Sequence, residues 1–206
     1  MKINLSNSEL TASINSFGAE LISLKNNSNR EYIWEGNPDY WGKHSPILFP
    51  IVGSLKNNSY NYNNSIYHLP RHGFAREMDF DIIEQSNEKV VFSLKETAAT
   101  LEKYPFKFEL QISYTLIKSQ LIIDFIVINN NEFSMPFSIG AHPAFALVNP
   151  FESYELLFKK SENLVVSKLE NELILMLDNP TSSNNYKEGY AVEDRINIID
   201  PGNGTI

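Results

Sequence analysis

From Phe106 to Leu116 the apolar residues Phe106, Phe108, Leu110, Ile112, Tyr114 and Leu116 alternate without a break with Lys107, Glu109, Gln111, Ser113 and Thr115. Only an extended strand sends every second side chain to one face. This run is therefore a half-buried antiparallel strand, and it commits the chain to a sheet with one wet and one dry side. Lys118 and Ser119 turn it into 121–128, apolar at nearly every position, which predicts a strand covered on both faces. Shorter runs surround the pair. Strands are expected at 10–14 and 19–24 about a turn at Ser16-Phe17-Gly18, and another restarts at Tyr32-Ile33-Trp34. Hairpins are expected at 59–62 with 66–69 and at 79–83 with 89–94, and late strands at 154–158, 164–166 and 173–177. The one helical candidate, 97–103, stops before Pro105. The expectation is an all-β chain of two packed antiparallel sheets, one domain over 1–206.

Composition narrows what such a chain can do. With 42% hydrophobic and 12% aromatic residues it can fill a core. Zero cysteines exclude disulfides, thiolate metal sites and cysteine nucleophiles. A net charge of −8 argues against nucleic acid as a partner. The opening residues lack an apolar signal core, and the most apolar run is too short to span a bilayer and is broken by Asp124. No membrane association and a cytoplasmic location are expected.

Residues 36–53 gather Pro38, Tyr40, Trp41, Pro46, Phe49 and Pro50, a density that suits neither a helix nor a central strand. An ordered loop this apolar is expected to pack over a sheet and wall a cleft. Arg71-His72-Gly73-Phe74-Ala75-Arg76 sets two forked cations, a switchable histidine and an aromatic ring around a glycine. It could hold a polyhydroxylated or anionic ligand, Phe74 offering its flat face; it could equally be a solvated loop. The second stretch is Gly140-Ala141-His142-Pro143-Ala144-Phe145, where Pro143 and Gly140 restrict the direction of the His142 ring. His68 reads as a surface residue, and His44 as one that could satisfy a backbone carbonyl. The four histidines lack metal-site spacing. Neither a serine elbow nor a phosphate loop is present. Acid–base chemistry by histidine, with arginines as binding groups, is what remains.

Three separated stretches in order, Ser45-Pro46-Ile47-Leu48-Phe49-Pro50-Ile51-Val52-Gly53, Leu69-Pro70-Arg71-His72-Gly73-Phe74-Ala75-Arg76 and Ala141-His142-Pro143-Ala144-Phe145, resemble the aldose 1-epimerase (galactose mutarotase-like) family. Phe17-Gly18-Ala19-Glu20-Leu21 fits as well. The likeness is nearest to the bacterial branch that includes LacX, and it runs to about Leu169. It implies a β-supersandwich that binds a monosaccharide or sugar phosphate and interconverts its α and β anomers without a cofactor. It implies that His142 is the general acid on the ring oxygen, that His72 holds and polarises the sugar, and that Arg71 and Arg76 line the cleft. Two departures stand out. Ser54 occupies the place of an arginine found in galactose mutarotases, where Lys56 or Arg71 could supply the charge. No stretch from Glu170 onward, with Glu172, Glu188 and Glu193, matches the setting of the family's glutamate base. The chain thus reads as a shortened or divergent member missing the C-terminal part, and the alternative function is a catalytically weak carbohydrate-binding protein on the same fold.

Overall fold

The computed structural model describes residues 1–150, 153–158, 169–170, 173–174, 196–200 and 204–205. Two units divide the chain, Met1–Ala146 and Leu147–Ile206. The first contains β1 (Lys2–Ser6), β2 (Leu10–Asn15), β3 (Glu20–Asn26), β4 (Ile47–Leu48), β5 (Ser59–Tyr62), β6 (Ser65–His68), β7 (Asp81–Gln85), β8 (Lys89–Lys95), the short helix α1 (Ala98–Leu101), β9 (Phe108–Ile117), β10 (Gln120–Asn129) and β11 (Gly140–Ala141). Within the second lie β12 (Glu155–Phe158), β13 (Leu169–Glu170), β14 (Leu173–Ile174), β15 (Ile196–Asp200) and β16 (Gly204–Thr205), ordered β12-β15-β16 with a separate β13-β14 pair.

The alternating run is β9, and its burial alternates as the sequence does. It pairs antiparallel with β10 on one side and β8 on the other, in a sheet ordered β10-β9-β8-β7. A second antiparallel sheet, β1-β2-β3, turns Ile3, Leu5, Leu10, Ala12, Ile14 and Leu21 inward. These form one core with Phe92, Leu94, Phe108, Leu110, Ile112 and Leu116 of the other sheet. The all-β, two-sheet architecture expected from the sequence is thus present in the first unit.

A buried hydrogen bond ties the sheets together: the Tyr114 hydroxyl on β9 donates to the Ala19 carbonyl just before β3, at 2.7 Å. Burial, and then the negative charge of Glu20, push the Tyr114 phenol far above its ordinary range, so it stays a donor at any working pH.

Three expectations change. Strand β10 is not covered on both faces: Phe125 is 36% and Ile126 52% exposed, because β10 lies at the end of the described four-stranded sheet. Residues 32–34 form no strand. There the backbone makes only the isolated bridges Lys25–Glu31 and Ile33–Phe145, and Glu31 Oε1 in addition accepts the N–H groups of Leu24, Tyr32 and Ile33. The helix is a single turn, closed by a reciprocal box between Thr97 and Thr100. The expected strand at 164–166 lies outside the described residues, as does the end of 173–177.

Replacing Tyr114 with Phe leaves the Ala19 carbonyl buried without this donor. The expected loss is roughly 1–3 kcal/mol of stability, read as a lower urea midpoint at unchanged slope.

Candidate functional site

The aromatic and proline-rich loop supplies a strut, residues 45–53, to which both sequence motifs are hydrogen-bonded. On one side its short strand β4 pairs with β11, and the Pro46 and Pro50 carbonyls accept the N–H groups of His142 (3.1 Å) and Ser138 (2.9 Å). Against the other side lies the arginine-containing turn. The Phe49 carbonyl accepts from Phe74 (3.0 Å) and Ala75 (3.2 Å), and the Gly53 carbonyl from His72 (2.8 Å). The turn needs glycine where it crosses the strut: Gly73 has φ +70°, and a Cβ there would overlap the Phe49 carbonyl.

His72 takes a left-handed backbone (φ 67°), which a non-glycine residue holds only when its surroundings impose it. Gly53 imposes it twice, accepting the His72 N–H and donating its own N–H to His72 Nδ1 at 3.0 Å. Arg71 Nε donates to the other ring nitrogen, Nε2, at 3.2 Å. Both nitrogens therefore face donors. A neutral imidazole has one acceptor nitrogen and an imidazolium has none. This geometry disfavours the charged ring, and desolvation, followed by the positive charges of Arg71 and Arg76 and by His142, holds the His72 pKa below its ordinary 6.5. Of the two donors the Gly53 amide is fixed by the backbone, so Arg71 is the one able to turn away to a ligand.

Arg76 follows in the same turn. Its Nη2 donates to the Arg71 carbonyl (3.1 Å), while Nε is buried without a hydrogen bond, 3.7 Å from Glu77 Oε1. Glu77 is shared with Lys43 at 3.1 Å. At the end of β11, His142 is exposed, with its ring 6.3 Å from that of His72 and 5.1 Å from that of Trp41.

All four residues singled out in the sequence, Arg71, His72, Arg76 and His142, line one cleft of about 320 Å³, together with Trp41, Pro46 and Leu48. The loop does wall a cleft, as its composition suggested. The flat ring lining it is the half-buried Trp41, however, and not Phe74. Phe74 is 6% exposed and packs edge-on against Phe49, because the turn at Gly73 drives it into the core. His68 lies exposed on β6. His44 does not seek a carbonyl; its ring sits over Gly36, with Nδ1 3.9 Å from Glu20 Oε1. That buried carboxylate also accepts the His44 (2.7 Å) and Ser45 (3.0 Å) amides, pinning the start of the strut. In the sequence Glu20 stands out only as part of the Phe17-Gly18-Ala19-Glu20-Leu21 motif. Its role was signalled by nothing local, since a lone acid at the start of a strand looks like surface. Lys56 is not part of the lining. Among the described residues no group of three or more histidines and carboxylates is placed to hold a metal ion, and no carboxylate lines this cleft.

The His72 environment predicts a titration. Folded His72 binds fewer protons than in the unfolded chain, so its contribution to stability is present above about 6.5 and is lost as pH falls through its lower folded value. Arg76→Ala removes one of the opposing charges, and the His72 ring-proton titration followed by NMR should move up toward 6.5.

Comparison with known proteins gives a consistent result. The family model described as Aldose 1-epimerase matches residues 1–200. Protein LacX of Lactococcus lactis subsp. lactis, in its plasmid and chromosomal forms, is 38% identical over 178 residues. The match covers 82% of this chain and 60% of LacX, so the chain spans about 60% of the length of these curated relatives. A galactose mutarotase related enzyme from Lactobacillus acidophilus superposes with a TM-score of 0.80 at 36% identity, covering 84% of this chain and 60% of that one. A galactose mutarotase-like protein from Lactobacillus casei ATCC 334 gives 0.74 at 37% identity, covering 78% and 56%.

Proposed function

Because this chain belongs to the aldose 1-epimerase family, we propose that its cleft binds a hexose or hexose phosphate and interconverts the α and β anomers. The observation that supports this most directly is the meeting of two histidine rings, 6.3 Å apart, in a cleft rimmed by Arg71 and Arg76. The reading treats residues 1–206 as one mutarotase-like domain.

Anomer exchange requires the C1–O5 bond to break as a proton reaches O5 and the C1 hydroxyl gives its own proton to a base, which is water here because no carboxylate among the described residues lines the cleft. Rotation about C1–C2 in the open aldehyde and the reverse proton transfers close the other anomer. His142, exposed in the cleft and carrying an imidazole, a side chain that can both give and take a proton, is assigned as the acid toward O5. His72 is assigned to binding. In its neutral form with Nδ1 accepting from Gly53, the Nε2–H is left to donate to a sugar hydroxyl once Arg71 turns away. Arginine cannot exchange protons at neutral pH, so Arg71 and Arg76 are assigned to holding substrate. Two cations and no lining carboxylate among the described residues favour the phosphorylated sugar. That same lining favours, as a second reading, a sugar-binding protein that exchanges anomers slowly.

Exchange measured by NMR or polarimetry on glucose, galactose and glucose 6-phosphate separates the two. The enzyme reading expects rates well above buffer, lowered about 10²- to 10⁴-fold by His142→Ala. Binding with rates equal to buffer assigns the chain to the second reading.

Arg71→Ala or Arg76→Ala should raise KM about tenfold or more with little change in kcat, the amount expected for a lost hydrogen bond to a charged group. Added salt should weaken binding of the sugar phosphate and leave a neutral sugar nearly unaffected.

A further inference from the structure

An acid delivers its proton only along a defined direction, and His142 needs something to hold its ring. Among the described residues that ring meets two others, Trp41 at 5.1 Å with a tilt of 49° and His72 at 6.3 Å, and it makes no side-chain hydrogen bond. His72 is itself fixed by Gly53, which leaves Trp41 as the wall against which the imidazole leans.

Trp41 is in turn held at both ends of its backbone. Its N–H donates to the Asn37 carbonyl at 2.8 Å, in a turn that Asn37 closes with its own side chain, Oδ1 accepting the Asp39 N–H at 3.0 Å. The Trp41 carbonyl accepts the indole N–H of Trp34 at 2.9 Å. Trp34 then reaches the other side of the site, because its backbone N–H donates to the carbonyl of Ala144, two residues beyond His142, also at 2.9 Å. The Trp34 ring also meets Tyr40 edge-on at 6.3 Å. The three links close a triangle: Trp34 backbone to the His142 segment, Trp34 indole to Trp41, and Trp41 ring to His142 ring.

We propose that Trp34 and Trp41 form a brace that holds the His142 imidazole at the angle from which it acts. Trp41 is a positioning residue through ring contact, and Trp34 ties it to the segment that carries His142. The inference rests on the assignment of His142 as the proton donor. It adds two residues that lie outside the motifs by which the site is recognised. The closure of the triangle also explains why a loop so long keeps one face of the cleft in place.

The test combines a spectroscopic and a kinetic readout on the full chain. Indole ring current shifts the His142 ring protons, so Trp41→Leu should move their NMR resonances and leave those of His72 in place. The same variant should lower kcat about 2- to 12-fold, the span expected for one aromatic pair, with KM little changed. Trp41→Phe should restore most of kcat. Trp34→Phe keeps the backbone bond and loses the indole N–H, and should fall between. His142→Gln identifies the resonances. If Trp41→Leu fails to fold by circular dichroism, Trp41→Phe and Trp34→Phe supply both readouts. Wild-type kcat with unmoved His142 resonances in these variants overturns the brace, as does a loss confined to KM. Moved resonances in a protein that exchanges no anomers keep the brace and overturn the enzymatic reading instead.

Discussion

Everything at the cleft depends on one segment, residues 45–53, being hydrogen-bonded along both edges. The carbonyls of Pro46 and Pro50 hold the stretch ending in His142, and those of Phe49 and Gly53 hold the turn containing Arg71, His72 and Arg76. Alternate recognition along one extended backbone keeps two loops in register that are separated by some seventy positions of sequence. The strut is itself anchored below by Phe49, fully buried against Phe74, Tyr104 and Phe108, and at its start by Glu20. Core packing is therefore what sets the distance between the two histidines.

The electrostatics divide those histidines. His72 is ringed by donors, with Gly53 on one nitrogen and Arg71 on the other, and with Arg76 in the same turn. A second ring proton would be opposed by burial and by the charges of Arg71 and Arg76, which favours the neutral ring. His142 projects from the opposite edge of the strut and rests on the indole of Trp41. Two side chains of one type, with ring centroids 6.3 Å apart, thereby sit in different surroundings.

Much of this was legible in the sequence, for identifiable reasons. The alternation from Phe106 to Leu116 survives as β9 because period-two burial is local and needs no knowledge of the partner strand. The convergence of Arg71, His72, Arg76 and His142 was legible through the resemblance. Spacing alone could not bring together residues so far apart. Phe74 was misplaced because a motif does not say which side chains point inward. That depends on Gly73 crossing Phe49 at positive φ, a tertiary contact. Exposure of β10 was missed for the related reason that hydrophobicity reports what a strand can bury and not whether it lies at a sheet edge. Glu20 was invisible as an anchor, because a buried acid is recognised by its amide partners and these come from more than twenty residues away.

The division between strut and walls also constrains how such a cleft can vary. The strut is built from backbone hydrogen bonds, and its requirements are geometric: no Cβ at Gly73, free carbonyls at Phe49 and Gly53, and an acid at Glu20. A Cβ at Gly73 would push the arginine-containing turn off the strut, and loss of the Glu20 acid would release the start of the strut itself. The lining side chains Trp41, Leu48, Arg71 and Arg76 are attached to that frame, and their requirements are chemical. A change of charge or size among them alters what the cleft admits while the spacing of His72 and His142 stays fixed. On the proposed function, two arginines supplied by one six-residue turn select for an anion without any rearrangement of the histidines. In the proposed reading, ligand choice and proton transfer are separable because different forces hold them: side-chain charge for one, and backbone hydrogen bonds over a buried aromatic core for the other.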